Sequence, residues 1–204
     1  MKRNFSSRSS KKNIKLIEDA LEKSPIIDVK GYPYVIFPLN FHIDPEVLKG
    51  AAGEIVKICD LKDVDKIVTM EAGGIGISTA VSMVTGIPVV IARRRKLDIQ
   101  GEVEIRKKTA YGEGVLYLSG IRRGDRIAIV DDVISTGGSM VALVKTLRKI
   151  GAVIKDIAVV YDRRDYGGER RLKEQTGFDV KSIIRIKEVT PSHVKWEPYI
   201  QAYV

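Results

Sequence analysis

"IAIVDDVISTGGSM", residues 127–140, decides how the rest of the chain is read. Four apolar residues run into two adjacent carboxylates, Asp131 and Asp132, then into a loop of Ser, Thr and Gly, and then into an apolar pattern of helical spacing. In an open parallel sheet, ligands sit beyond the carboxyl ends of the strands. Two neighbouring carboxylates cost repulsion and desolvation unless hydroxyls or a cation satisfy them. A ribose with two free hydroxyls, helped by a magnesium ion, meets that need. The loop Ser135, Thr136, Gly137, Gly138 and Ser139 opens a helix, whose free N–H groups and dipole favour an anion. Its glycines let the backbone come close. No Gly-Lys-Ser/Thr follows, so this is no Walker loop, and the glycines are not spaced as in a dinucleotide fingerprint.

Outward from this stretch, apolar strands alternate with helical patterns. "KIVTM" (66–70), "IPVVIA" (87–92), "GVLYL" (114–118), "RIAIV" (126–130), "IAVVY" (157–161) and "VKSIIRI" (180–186) read as strands, and "YVIF" (34–37) as a short one. Helices are expected over 13–23, from the Asp44-Pro45 start to about Cys59, over 77–85, from the glycine loop to Ile150, and near 169–176. Such alternation implies an α/β fold with a central, mostly parallel sheet flanked by helices. The first twelve residues hold five basic side chains, four serines and no acid, which reads as a disordered basic tail. Residues 13–204 are expected to form a single domain.

The chain has 204 residues, 44% of them hydrophobic, enough for a substantial core. No apolar run approaches the ~20 residues that span a bilayer, and the basic N-terminus lacks a secretory h-region. The single cysteine excludes an intrachain disulfide, and the compartment is read as cytoplasmic. A formal net charge of +9 favours anionic partners, among them phosphorylated small molecules and nucleic acid.

Acids for a sugar diol followed by a cradle for its 5′-phosphate resemble the phosphoribosyl-diphosphate site of the type I phosphoribosyltransferase family. "VTMEAGGIG" (68–76) resembles that family's pyrophosphate loop, with Glu71, Ala72, Gly73 and Gly74 at its turn, where members often hold a non-proline cis peptide. "RRRKLDIQGEVEIRKKTAYGE" (93–113) is long, polar and crowded with charge, and suits the family's flexible loop. The resemblance implies that Arg93, Arg94 and Lys96 add charge at the pyrophosphate. It also implies that Asp131 and Asp132 act at the reacting centre and meet Mg2+ indirectly, through substrate hydroxyls or water, and that Tyr111 packs there as a catalytic candidate.

"YVIFPLNFHIDPEVL" (34–48) and "TAYGEGVLYL" (109–118) resemble the adenine phosphoribosyltransferase-like branch, which includes archaeal purine enzymes. That likeness implies a small N-terminal hood at about 26–44, a core over about 45–186 and a C-terminal segment at 187–204. It further implies phosphoribosyl diphosphate and a purine base as partners, and a homodimer. The function expected first is transfer of phosphoribose to adenine, giving AMP and pyrophosphate. Hypoxanthine/guanine transfer is the first alternative. A phosphoribosyl-diphosphate-sensing regulator is the second, although too few residues precede the hood for the usual helix-turn-helix domain, so nucleic acid is not the expected partner. Three departures from the adenine pattern stand out. Ala110 replaces the Glu that precedes Tyr-Gly, Gly73 replaces an Arg, and the basic cluster is offset by about one residue. Glu102, Glu104 and Glu113 are the loop carboxylates that remain, with nothing in the sequence to choose among them. "RRDYGGERR" (163–171) reads by default as a basic solvated loop.

Overall fold

The computed structural model describes residues 7–29, 31–109 and 112–198. Six strands form the central sheet: β3 (Lys66–Met70), β4 (Val89–Ala92), β7 (Arg126–Ile134), β8 (Val153–Arg163), β9 (Lys181–Val189) and β10 (Val194–Pro198), in the order β10-β9-β8-β7-β3-β4. All neighbours run parallel except β10, which returns antiparallel to β9. Side chains alternate across each strand, so the central strands supply two cores at once. Ala128, Val130, Ala158 and Val160 face one core, with α1 (Ser7–Glu22), α3 (Pro45–Ile58) and α4 (Gly74–Thr85). Ile127, Ile129, Ile157 and Val159 face the other, with α5 (Gly138–Ile150) and α6 (Gly168–Thr176).

From β3 the chain crosses by α4 to β4 on one side. From β7 it crosses by α5 to β8 and by α6 to β9 on the other. The adjacent carboxyl ends of β3 and β7 are therefore the point where the winding reverses, and a crevice opens there.

Several elements differ from their sequence reading. The first helix starts at Ser7, so residues 7–12 of the expected disordered tail are helical. A partner in α3 accounts for this. Buried Glu54 accepts from Asn13 Nδ2 at 2.8 Å and from Lys57 Nζ at 2.6 Å, and Lys57 Nζ also donates to buried Ser10 at 2.5 Å. The 93–113 stretch is in large part an antiparallel hairpin, β5 (Val103–Thr109) with β6 (Gly112–Leu118). Ile105, Leu116 and Leu118 are fully buried, and that burial holds it in place. Among the described residues of that stretch, only 93–102 lie outside helix and strand, apart from one bridge in which Arg93 pairs with Tyr117. Strand β7 continues through the paired acids to Ile134 rather than ending at Val130.

The stretch 26–44 contains a hairpin, β1 (Ile26–Val29) with β2 (Tyr32–Val35), and the single turn α2 (Pro38–Phe41). Phe37 then anchors on Tyr161 of β8, ring centroids 4.7 Å apart. Asp44 caps α3 as expected, accepting from the backbone N–H of Glu46 and Val47 at 2.8 and 3.1 Å. Trp196 packs the C-terminal strand onto α1, its Nε1 donating to Glu18 at 3.3 Å. No described helix is long and apolar enough to cross a membrane.

Candidate active site

Asp131 and Asp132 stand at the crevice and are almost fully buried, at 4% and 5% exposure. Neighbours on a strand point to opposite sides, and each acid finds its own partners. Thr69 Oγ1 donates to Asp131 Oδ1 at 3.4 Å, and the Asp132 backbone N–H donates to the same oxygen at 3.1 Å. Asn40 of α2 hydrogen-bonds the Asp132 carboxylate. Burial, and then the adjacent charge of Asp132, push the Asp131 carboxyl well above the usual carboxylate range. Burial also raises Asp132, against the hydrogen bonds that hold it down. Such a pair is poised for hydroxyl donors or a cation.

The loop after β3 explains its own glycines. A Cβ at Gly73 would lie 2.5 Å from Asp132 Oδ2 and 2.6 Å from Asn40 Oδ1. A Cβ at Gly74 would overlap Asp131 Oδ1 and Thr69 Oγ1. A side chain at Gly73 would therefore have to displace the Asp132 carboxylate and the Asn40 amide from this packing. The Glu71–Ala72 peptide is cis.

The loop after β7 leads into α5 through Gly137, at φ 74°, a conformation that favours glycine. It rests on the start of α6. A Cβ at Gly137 would lie 2.5 Å from the Gly168 carbonyl, and one at Gly168 would overlap the Ser135 carbonyl. Arg171 Nη1 donates to the Thr136 carbonyl at 3.3 Å. The "RRDYGGERR" stretch is therefore a prop for the candidate phosphate loop, not a solvated basic loop. Arg163 is buried, forks onto Asp165 at 2.9 and 2.7 Å and lies 4.4 Å from the centre of the Tyr166 ring. Fully buried Asp162 pairs with Arg164 at 2.6 Å, and desolvation pushes its pKa up to about 6.

Between this floor and the hairpin lies an open cleft of about 340 Å³. Ser135, Thr136, Gly137, Gly138 and Ser139 line it together with Arg94 and Lys107. Lys107 carried no signal in the sequence beyond being one of many loop cations. The three cations expected at the pyrophosphate separate. The Arg94 backbone N–H donates to the Glu71 carboxylate at 3.0 Å, which ties it to the loop after β3. Arg93 is held through its backbone to Tyr117 and is exposed. Lys96 pairs with Asp98 at 2.5 Å, both exposed. Glu102 accepts from the backbone N–H of Leu97 and Asp98, each at 3.1 Å, and Glu104 pairs with Arg106 at 3.0 Å, so both acids serve the hairpin. Tyr111 and Ala110 lie outside the described residues, as does the Glu113 side chain.

Among the described residues, no three His, Cys, Asp or Glu side chains converge as a metal cage. Two buried acids and a hydroxyl do fit a magnesium ion that arrives with a diphosphate and keeps part of its water shell.

The chain matches the family model described as phosphoribosyl transferase domain over residues 40–194. It is 46% identical over 177 residues to a protein of Methanothermococcus okinawensis named hypoxanthine/guanine phosphoribosyltransferase, covering 85% of this chain and 95% of that one. A protein of the same name from Methanococcus maripaludis is 44% identical over 178 residues, covering 86% and 95%. Among solved structures, the adenine phosphoribosyltransferase of Thermoanaerobacter pseudethanolicus superposes with a TM-score of 0.73 at 21% identity, covering 84% of this chain and 99% of that one. That of Rhodothermus marinus gives 0.72 at 20%, covering 86% and 99%.

Proposed function

This chain belongs to the type I phosphoribosyltransferase family and has that fold, and from this premise we propose that it transfers the phosphoribosyl group of phosphoribosyl diphosphate to hypoxanthine or guanine. The observation that carries the base choice is the 46% identity, over nearly the whole of both chains, to a hypoxanthine/guanine enzyme. The adenine enzymes share the fold at 21% identity or less in the two superpositions above, which is no guide to the base. The adenine reading thus yields to its first alternative. Ala110, in place of the adenine enzymes' Glu, agrees with that order.

In this reading a purine ring nitrogen displaces pyrophosphate at the anomeric carbon. Positioning and electrostatics supply the catalysis. Asp131 and Asp132 accept hydrogen bonds from the ribose hydroxyls and lie beside the positive charge that develops on the sugar. Ser135 to Ser139 hold the 5′-phosphate with backbone N–H groups and hydroxyls. Residues 71–74 and Arg94 receive the pyrophosphate. Mg2+, when bound, neutralises charge on the diphosphate, and the acids orient it through substrate hydroxyls or water. The family expectation of a homodimer and a catalytic part for Tyr111 belong to the same proposal.

The test is pyrophosphate release from phosphoribosyl diphosphate and Mg2+ with adenine, hypoxanthine, guanine, xanthine, uracil and orotate offered separately. Turnover is expected with hypoxanthine and guanine, and Asp131→Asn with Asp132→Asn lowers it by about a hundredfold or more. Turnover with adenine and neither 6-oxopurine would overturn the base assignment.

A further inference from the structure

We propose that Lys107 of β5 is a ligand of the substrate's 5′-phosphate, closing the phosphate loop from the opposite wall of the cleft. The inference rests on the phosphoribosyl-transfer reading above.

Its first support is the direction of the side chain. Val103, Ile105 and Lys107 share one face of β5, because side chains alternate along a strand. Ile105 is fully buried against the core beneath α5. Lys107 thus continues an inward apolar row to the point where that row reaches the cleft. Glu104 and Arg106 take the outward face and pair with each other there.

The second support is the room made for it. In the hairpin register Lys107 lies opposite Gly114, and a Cβ at Gly114 would come within 3.2 Å of Lys107 Cε. The glycine leaves space for the lysine stem to lie across the strand pair.

The third is charge. Among the described residues, Lys107 has no hydrogen-bond or ion-pair partner. Burial lowers its pKa, the Arg94 guanidinium lowers it further, and Asp131 opposes both. A half-buried ammonium beside a second cation is favourable only when an anion enters between them. Both cations line the same cleft as Ser135 to Ser139. The lining includes all of Ser135 to Ser139, the loop proposed for the 5′-phosphate, and none of residues 71–74; Arg94, tied to Glu71, reaches the cleft from the pyrophosphate side, which leaves Lys107 to the 5′-phosphate in this proposal.

Calorimetry with two probes tests this, using ribose 5-phosphate and, separately, magnesium pyrophosphate. Lys107→Ala is expected to weaken ribose 5-phosphate by about tenfold or more, the scale of one charge-assisted hydrogen bond, and pyrophosphate by less than about threefold. Lys107→Arg keeps the charge and is expected to retain most of the affinity, with melting temperature unchanged in both variants. Equal affinity of wild type and Lys107→Ala for ribose 5-phosphate overturns the inference. So does an equal loss for both probes, or a loss that Lys107→Arg fails to restore. The functional reading fails separately, if wild type binds ribose 5-phosphate but turns over no 6-oxopurine.

Discussion

Where β7 meets the loop after β3, acid and backbone lie so close that neither Gly73 nor Gly74 has room for a methyl group, and Gly137 and Gly168 press on each other in the same way. Across the cleft, every residue from Arg93 to Gly101 is exposed. There the chain is tied to the rest by backbone bonds from Arg93 to Tyr117 and by the Glu71 carboxylate on the Arg94 N–H. The floor is assembled by contacts that tolerate no added volume. The 93–101 segment of the wall, unlike the packed β5–β6 hairpin beside it, is held by charge and a few anchors. Groups that must hold a sugar and its phosphate in one geometry belong on the first kind of structure, and a segment that admits and releases substrate belongs on the second.

The largest test of that contrast is Gly74→Ala. The new methyl overlaps Asp131 and Thr69, so one of them must move. Misplacing a positioning group is expected to lower kcat/KM by about a hundredfold or more, read by steady-state kinetics, and overpacking to cost about 1–3 kcal/mol by denaturant melts. Near-normal activity would mean the floor is not held by this contact. Next is Gly168→Ala, which pushes on the Ser135 carbonyl from outside the cleft. We expect KM for phosphoribosyl diphosphate to rise about tenfold with kcat less affected, because on the proposed reading the displaced loop holds the 5′-phosphate rather than the reacting atoms. An unchanged KM would sharpen the comparison by confining the tight floor to β3 and β7. The smallest effect is expected in the wall. Leu97→Ser with Ile99→Ser, at positions 46% and 50% exposed, is expected to change stability by less than about 0.5 kcal/mol in the same melts. A larger loss would show that the 93–101 segment, too, is held by packing.

Much of this organisation is legible in the sequence. The apolar runs alternating with helical patterns required a parallel sheet with two covered faces, and the Asp-Pro start of α3 was a local signal with a local cause. The paired acids followed by a glycine loop pointed to the ligand end of one strand. Segments whose structure depends on distant partners were not legible. Ser7 to Lys12 lack helix-forming apolar spacing, and the tie of Ser10 and Asn13 to Lys57 and Glu54 lies more than forty residues away in the chain. Val103 and Ile105 are only two apolar residues among charges, too short an alternation to mark a strand. Gly168 lies in a stretch that reads by default as a basic solvated loop, and its close approach to the Ser135 carbonyl is a contact between loops more than thirty residues apart.

The sequence by itself determined the fold class and, through its resemblance to a known family, the class of reaction, and it singled out the residues proposed to touch a phosphorylated ribose. It did so because strand periodicity, a buried like-charged pair and a glycine-rich helix start are constraints written between near neighbours. Only the tertiary structure decided which cations face the cleft, what a side chain at Gly73 would displace, and what supports the candidate phosphate loop. Those depend on approaches between β3, β5, β7 and α6, and distances between elements so far apart in the chain are set by packing, which no local pattern records.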